Sequence, residues 1–174
     1  MSVLEGKTAL VTGASSGLGA DFARILAKHA CNVVLVARSA DRLEKLQQEI
    51  AAIPPVKTHV ITTDLSAAGA SQALYQRVSE LGLTVDVLIN NAGFGIHGNF
   101  VGIPWKREHE TLELGIIALV HLTKLFVRDM VARNLGYVLL VSSIGAYQPS
   151  PTYATYSAAK SFVLYFGAAA IRRA

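Results

Sequence analysis

Apolar residues along this chain follow two alternating patterns: short unbroken runs, and longer stretches in which they recur every three or four positions. Thr8 to Thr12, Asn32 to Ala37, Val56 to Thr62, Val85 to Ile89 and Tyr137 to Val141 are runs of the first kind. They are rich in Val, Ile and Leu and lack polar alternation, so each predicts a strand buried on both faces. The second pattern predicts helices. Leu18 to His29 places Leu18, Phe22, Ile25 and Leu26 on one face, and Ser39 caps a helix to about Ala52 whose face carries Leu43, Leu46 and Ile50. Pro54-Pro55 stops that helix. Further helices are predicted from about Ser66 to Leu81, from about Lys106 to Arg133, and from about Tyr153 to the end.

Buried strands that alternate with helices imply an α/β fold: a doubly wound parallel sheet of five predicted strands with helices on both faces. Its ligand crevice should lie at the carboxyl ends of the strands. No repeat, linker or second domain is visible, so residues 1–174 are expected to form a single domain. The composition, 52% apolar and 16% charged, suits a globular protein and argues against disorder. The net charge of +4 comes from scattered Lys and Arg, so no nucleic-acid partner is expected. Cys31 is the only cysteine, which excludes an intrachain disulfide and predicts a buried, inert thiol. Glu5 and Lys7 interrupt the start, and no apolar run approaches the ~20 residues of a membrane span. A cytoplasmic location is the resulting expectation.

The first strand runs into Thr12-Gly-Ala-Ser-Ser-Gly-Leu-Gly19. Gly13 suits a tight turn, Gly17 a close approach of backbone to ligand, and Gly19 close packing of helix on strand. The N–H groups at the helix start would then face a pyrophosphate, which the helix dipole also favours. An ordinary glycine-rich turn is the bland reading, but the strand-turn-helix setting favours a dinucleotide.

This Thr-Gly-x-x-x-Gly-x-Gly spacing resembles the short-chain dehydrogenase/reductase family, whose nucleotide-binding domain is a Rossmann fold. The resemblance runs from about Lys7 to Phe166 and includes Asp64-Leu65, Asn90-Asn91-Ala92-Gly93, Ser142-Ser143 and Tyr156-x-x-x-Lys160. It implies cofactor contacts from Gly13, Ser15, Ser16, Gly17, Leu18 and Gly19, and from Asp64 and Leu65 near the adenine. Asn91, Ala92 and Gly93 would lie near the adjoining ribose, with Tyr156 and Lys160 at the far end.

NAD enzymes usually place an acidic residue at the end of the second strand, about 20 positions after the glycines. Here Val36-Ala37-Arg38-Ser39 offers no carboxylate. Arg38 could pair bidentately with a 2′-phosphate, and Ser39 could add a hydroxyl. The alternative is a solvated Arg38 with Asp41 turned back to the ribose. NADP(H) is preferred, with NAD(H) left open.

Tyr156 and Lys160, four apart on a helix, share a face. A tyrosine hydroxyl with pKa ~10 is a poor base, but an ammonium ~4 Å away at an effective dielectric of ~20 favours the phenolate by up to ~4 kcal/mol. Tyr156 would act as general acid in reduction and general base in oxidation. Ser143 precedes it by the family spacing and would hydrogen-bond the carbonyl oxygen. Tyr147, Tyr153 and Ser142 compete less well; Tyr153 has Ser157, not lysine, four residues on. The expected partner is therefore a small-molecule carbonyl or alcohol substrate. By resemblance Phe94, His97, Tyr147 and Tyr153 border its pocket, although each could equally pack locally.

The chain departs from the family pattern twice. Counting back from Leu122-Thr123 puts Gly115 where members usually carry an asparagine that helps hold a relay water. Members also continue past the tyrosine helix into further strands, so the chain is expected to be incomplete at its C-terminus, leaving the fifth strand at a sheet edge. Two functions follow: an oxidoreductase moving a hydride between NADP(H) and a carbonyl or alcohol, or an NADP(H)-binding module with little turnover. In the family the fourth and fifth helices pair between subunits. Leu119, Leu122, Phe126, Phe162 and Phe166 here suit either such a homo-oligomer or packing on the sheet.

Overall fold

Strands that are apolar on both faces must lie inside a sheet covered on both sides. The computed structural model, which describes residues 2–170, contains that sheet. Its strands are β1 (Thr8–Thr12), β2 (Asn32–Ala37), β3 (Thr58–Thr62), β4 (Val87–Asn90) and β5 (Tyr137–Leu140), all parallel, in the order β3-β2-β1-β4-β5. The helices are α1 (Gly17–Lys28), α2 (Ala40–Ala51), α3 (Ala70–Glu80), α4 (Trp105–Leu112), α5 (Leu119–Ala132) and α6 (Ala154–Ala170). A π-helical segment, Glu113–Ala118, joins α4 to α5, and together these three make up the long fourth helix expected from periodicity.

Successive strand residues point to opposite faces and divide the core in two. Ala9, Val11, Val33, Leu35, Val87 and Ile89 pack with Ala23 and Leu26 of α1 and Leu43, Leu46 and Ile50 of α2. Leu10, Val34, Val36 and Leu88 pack on the other side with Leu74 and Val78 of α3 and Leu122, Phe126 and Met130 of α5. The strand order reverses at β1, which lies between β2 and β4. That reversal opens a crevice at the carboxyl ends of β1 and β4, as doubly wound sheets do.

Several boundaries differ from the expected ones, each for a local reason. Val56 belongs to the turn after Pro54-Pro55, where its N–H donates to the Ile53 carbonyl (3.1 Å), so β3 begins two residues later than periodicity suggests. Helix α3 starts at Ala70 because Asp64 Oδ1 accepts from both the N–H and the hydroxyl of Ser66 (3.0 and 2.7 Å), and Gly69 follows with a φ of +76°. β4 is displaced towards Asn90: Asp86 lies before the strand, its carboxylate accepting from the Thr8 N–H at 3.0 Å. β5 ends at Leu140, and the last helix begins at Ala154. The end of that expected helix, residues 171–174, lies outside the described residues.

The face of α1 also differs. Leu18 and Ile25 are 60% and 52% exposed, whereas Gly19, Ala20, Ala23, Leu26 and Ala27 are buried. Of the four large residues expected on this face, Leu26 is buried and Phe22 packs against the core, while the rest of the face is small: glycine and alanines that let the helix lie close. Cys31 is buried as expected, and burial pushes its thiol up to about 11. Among the described residues β5 pairs only with β4, leaving Tyr137 and Leu139 exposed on one face of an edge strand. None of the described helices is long and apolar enough to cross a membrane.

The burial of α1 predicts an inverted substitution pattern. Enlarging Ala23 to Leu should cost roughly 1–3 kcal/mol through overpacking. Replacing the larger, exposed Ile25 with Gln should change stability by less than ~0.5 kcal/mol. Urea unfolding of the two variants would check this, and equal losses would contradict the assigned face.

Candidate active site

β1 ends at Thr12, whose buried hydroxyl joins the two halves of the crevice. It donates to the Ile89 carbonyl (3.3 Å) and accepts from the N–H groups of Asn91 and Ala92 (both 3.0 Å). The Asn91 side-chain amide donates back to the Thr12 carbonyl (3.0 Å) and the Gly13 carbonyl (3.4 Å). No room remains for side chains. A Cβ on Gly13, whose φ is +69°, would fall 2.8 Å from Asn91 Nδ2, and one on Gly19 would fall 2.6 Å from the same atom. Gly19 therefore allows α1 to pack against the turn and Asn91. Gly17, at φ +53°, faces open space.

Ser16 occupies the N-cap position of α1 and Ser39 that of α2, yet neither side chain makes a capping hydrogen bond. The first N–H groups of both helices are thus left without a side-chain acceptor, a suitable setting for an anion. The expected cap at Ser39 is present in position but not in bonding.

Gly13, Ser15, Ser16, Arg38, Ser39, Asp64, Leu65, Ala92 and Gly93 line one cavity of about 250 Å³ beside this turn. Of the other residues singled out for a cofactor, Gly17, Leu18, Gly19, Asn91, Tyr156 and Lys160 do not line it. Gly19 and Asn91 pack against Gly13 of its wall, and Tyr156 and Lys160 belong to the neighbouring cluster. Arg38 Nη1 lies 3.7 Å from Asp64 Oδ2. Burial disfavours the Asp64 carboxylate, but the Ser66 hydroxyl and N–H, with Arg38 beyond, outweigh it and hold that carboxyl below its ordinary value. Asp41 is not on the cavity wall; Arg42 is.

The second cluster forms where β5 meets α6. Ser143 starts a single 3-10 turn (Ile144–Ala146), its hydroxyl accepting from the Gly145 N–H at 3.2 Å. Ser143 Oγ and Tyr156 Cε1 lie 3.6 and 3.9 Å from the point a Gly145 Cβ would occupy, so the two side chains are neighbours. Lys160 is buried and donates from Nζ to the Val141 carbonyl at 2.8 Å. Its Nζ is 5.9 Å from the centre of the Tyr156 ring, so the ammonium is bonded to backbone rather than to the phenol as the spacing suggested. Gly93 connects the two clusters: a Cβ there would be 3.5 Å from Lys160 Nζ.

Two hydroxyls that no motif singled out for a structural role hold this arrangement. Ser142 donates to the Lys160 carbonyl and Ser161 to the Ala146 carbonyl, both at 2.8 Å, clamping α6 to the loop that carries Ser143. Thr123 accepts from the Asn90 amide at 2.9 Å and donates to the Leu119 carbonyl at 2.7 Å, tying β4 to α5. Apart from the Thr123–Leu119 bond within α5, these contacts join residues 15 to 33 positions apart, and only the fold brings them together.

The His97 and Tyr153 rings lie 5.2 Å apart, tilted at 60°, and Tyr153 meets Tyr156 edge to face at 6.1 Å, forming an aromatic rim. Phe94 instead lines the first cavity, with the Arg107 guanidinium 4.7 Å above its ring. Tyr147 lines a separate open cavity of about 510 Å³. Gly115 is buried in the π-helical segment, and a Cβ there would meet only the Ala159 methyl at 3.6 Å, an ordinary contact. Neither packing nor a positive φ demands glycine at that position.

The sequence and the fold both match known proteins. A sequence model described as short chain dehydrogenase matches residues 7–172. The chain is 38% identical over 165 residues to a very-long-chain 3-oxoacyl-CoA reductase of Aspergillus terreus, covering 91% of this chain and 46% of that one. It is 33% identical over 167 residues to the human protein of the same name, covering 92% and 52%. The chain spans about half the length of the curated relatives it matches. Among solved structures, an L-sorbose reductase from Gluconobacter frateurii complexed with NADPH and L-sorbose superposes with a TM-score of 0.88 at 30% identity, covering 94% of this chain and 62% of that one. A 3-oxoacyl (acyl-carrier-protein) reductase from Agrobacterium tumefaciens with NADP bound gives 0.87 at 31%, covering 94% and 62%.

Burial holds the Lys160 ammonium below its ordinary 10.5. Between the lowered value and 10.5 the unfolded chain binds more protons at this lysine than the folded one, so stability rises with pH across that window. The wild type should therefore gain stability relative to Lys160→Met as pH is raised from neutrality towards 10.5. Urea midpoints of both proteins across that range would measure it; a difference independent of pH would mean the ammonium is as well solvated folded as unfolded.

Proposed function

The chain belongs to the short-chain dehydrogenase/reductase family, and from that membership we propose that it is an oxidoreductase moving a hydride between NADP(H) and a carbonyl or alcohol substrate. The observation that carries this reading is the closeness of Lys160 Nζ to Gly93, a residue of the cavity wall, with Ser143 and Tyr156 both beside Gly145.

The residues lining that crevice suit a dinucleotide. The uncapped start of α1 and the glycine turn would hold the pyrophosphate, and Asp64 and Leu65 would border the adenine. Arg38 and Ser39 would meet a 2′-phosphate, which favours NADP(H) over NAD(H). NADPH and NADP in two similar structures support the same choice. The nicotinamide supplies or accepts the hydride.

The remaining work falls to this chain's own side chains. Ser143 would donate to the substrate oxygen and hold it in place. Tyr156 would give its phenolic proton to that oxygen in reduction and take one back in oxidation. Lys160, fixed on the Val141 carbonyl, would keep a positive charge behind the tyrosine as proton and hydride move. The aromatic rim of His97 and Tyr153 suits an apolar substrate. A 3-oxoacyl thioester is the substrate class to try first, because the curated relatives carry that name.

NADPH oxidation with a 3-oxoacyl-CoA should fall by roughly 10²–10⁴-fold in Tyr156→Phe, the range typical of a lost general acid. NADPH binding should survive. Turnover that persists in this variant would overturn the proposed role.

Gly115 favours a second reading, binding with little turnover, because it supplies no side-chain amide to a relay water. A Cβ at this position makes only an ordinary contact, and Gly115→Asn should raise kcat while leaving NADPH affinity unchanged. An unaltered kcat would remove this position from the mechanism.

A further inference from the structure

Two side chains bury polar atoms that have no hydrogen-bond partner among the described residues: Glu108 on α4 and Ser157 on α6. Ser157 lies within the reacting cluster. Its hydroxyl oxygen is 3.3 Å from the point a Gly145 Cβ would occupy, and Ser143 Oγ and Tyr156 Cε1 are 3.6 and 3.9 Å from the same point. The two serine hydroxyls thus border one small space that glycine leaves free of a side chain. Ser143 already accepts from the Gly145 N–H at 3.2 Å, which fills one of the two acceptor positions of its oxygen. The Ser157 oxygen is sealed from solvent, so its lack of a partner is not made good by bulk water.

A buried hydroxyl without a partner costs folding free energy that an alanine would not. Ser143 is the group beside it that can supply a partner, and the reaction gives it reason to. When Ser143 donates its proton to a substrate oxygen, its own oxygen becomes more negative and a stronger acceptor, as in any chain of hydrogen bonds that polarise one another. Resting on the oxidoreductase reading, we infer that Ser157 is a positioning residue, which donates to the second acceptor position of Ser143 in the reacting complex. The pair closes by a turn of the Ser157 side chain across the space at Gly145. With both acceptor positions of Ser143 filled, its proton is directed at the substrate oxygen. Ser157 touches neither substrate nor cofactor and acts through Ser143 alone.

The test is steady-state reduction of a 3-oxoacyl-CoA, a ketone and an aldehyde by NADPH, with NADPH titration and urea unfolding of the same full-length proteins. Wild type, Ser157→Ala, Gly145→Ala, Ser143→Ala and the double variant Ser143→Ala/Ser157→Ala would be compared. Ser157→Ala should lower kcat about three- to tenfold, the factor carried by one neutral hydrogen bond. Its NADPH affinity should not change, and its urea midpoint should be equal or higher. Gly145→Ala, whose methyl would hold the hydroxyls apart, should lower kcat similarly with both of them present. The double variant should be no slower than Ser143→Ala, because Ser157 then has nothing to act through. An unchanged kcat in Ser157→Ala would overturn the inference, as would the same fractional loss with and without the Ser143 hydroxyl. A urea midpoint that falls together with kcat would reduce Ser157 to packing and overturn it too. Each of those results leaves the oxidoreductase reading standing. A wild type that binds NADPH but reduces none of the three carbonyl compounds would overturn reading and inference together.

Discussion

The hydroxyl of Thr12 serves three backbone groups at once, and the glycine turn can take its shape only because those bonds are made. Accepting from Asn91 and Ala92 while donating to Ile89, it locks the end of β1 to the end of β4, the strand pair that opens the crevice. Asn91 completes the lock from the other side through its amide. With the strand ends this close, Gly13 and Gly19 have no space for a methyl group, so the glycines follow from the lock as much as from any ligand. An asparagine expected at the ribose is first of all a brace for the turn.

The Tyr156 cluster depends on a comparable brace. Helix α6 is fastened to the β5 loop by Ser142, Ser161 and Lys160, each through a backbone carbonyl. Lys160 is both part of the fastening and a cation held in a site that disfavours its charge. Gly93 then sets the spacing between the two braced units, since its backbone passes beside the lysine ammonium.

Much of this was legible in the sequence, and the rest was hidden for identifiable reasons. The strands were readable because burial on both faces leaves continuous apolar runs, and the glycine turn because few residues tolerate its backbone. Ser143, Tyr156 and Lys160 were readable as residue types at fixed spacing. The packing face of α1 was readable only at Phe22 and Leu26, because alanines carry little hydrophobic signal beside Leu18 and Ile25. Whether Asp41 or Arg42 turns towards the cavity depends on the phase at which α2 begins, which shifts by about 100° per residue. The partner of Lys160 could not be read from helix spacing, because it comes from β5.

The uncapped starts of α1 and α2 have a consequence for the lifetime of the protein. Each forgoes about 1 kcal/mol that an ordinary serine cap would contribute. Any anion bound at those N–H groups acts as a cap supplied from outside, and its concentration enters the folding free energy as RT ln(1 + [L]/Kd). The unfolded fraction, and with it exposure to proteolysis, then tracks the supply of that anion. A chain built this way would be longest-lived where such an anion is abundant.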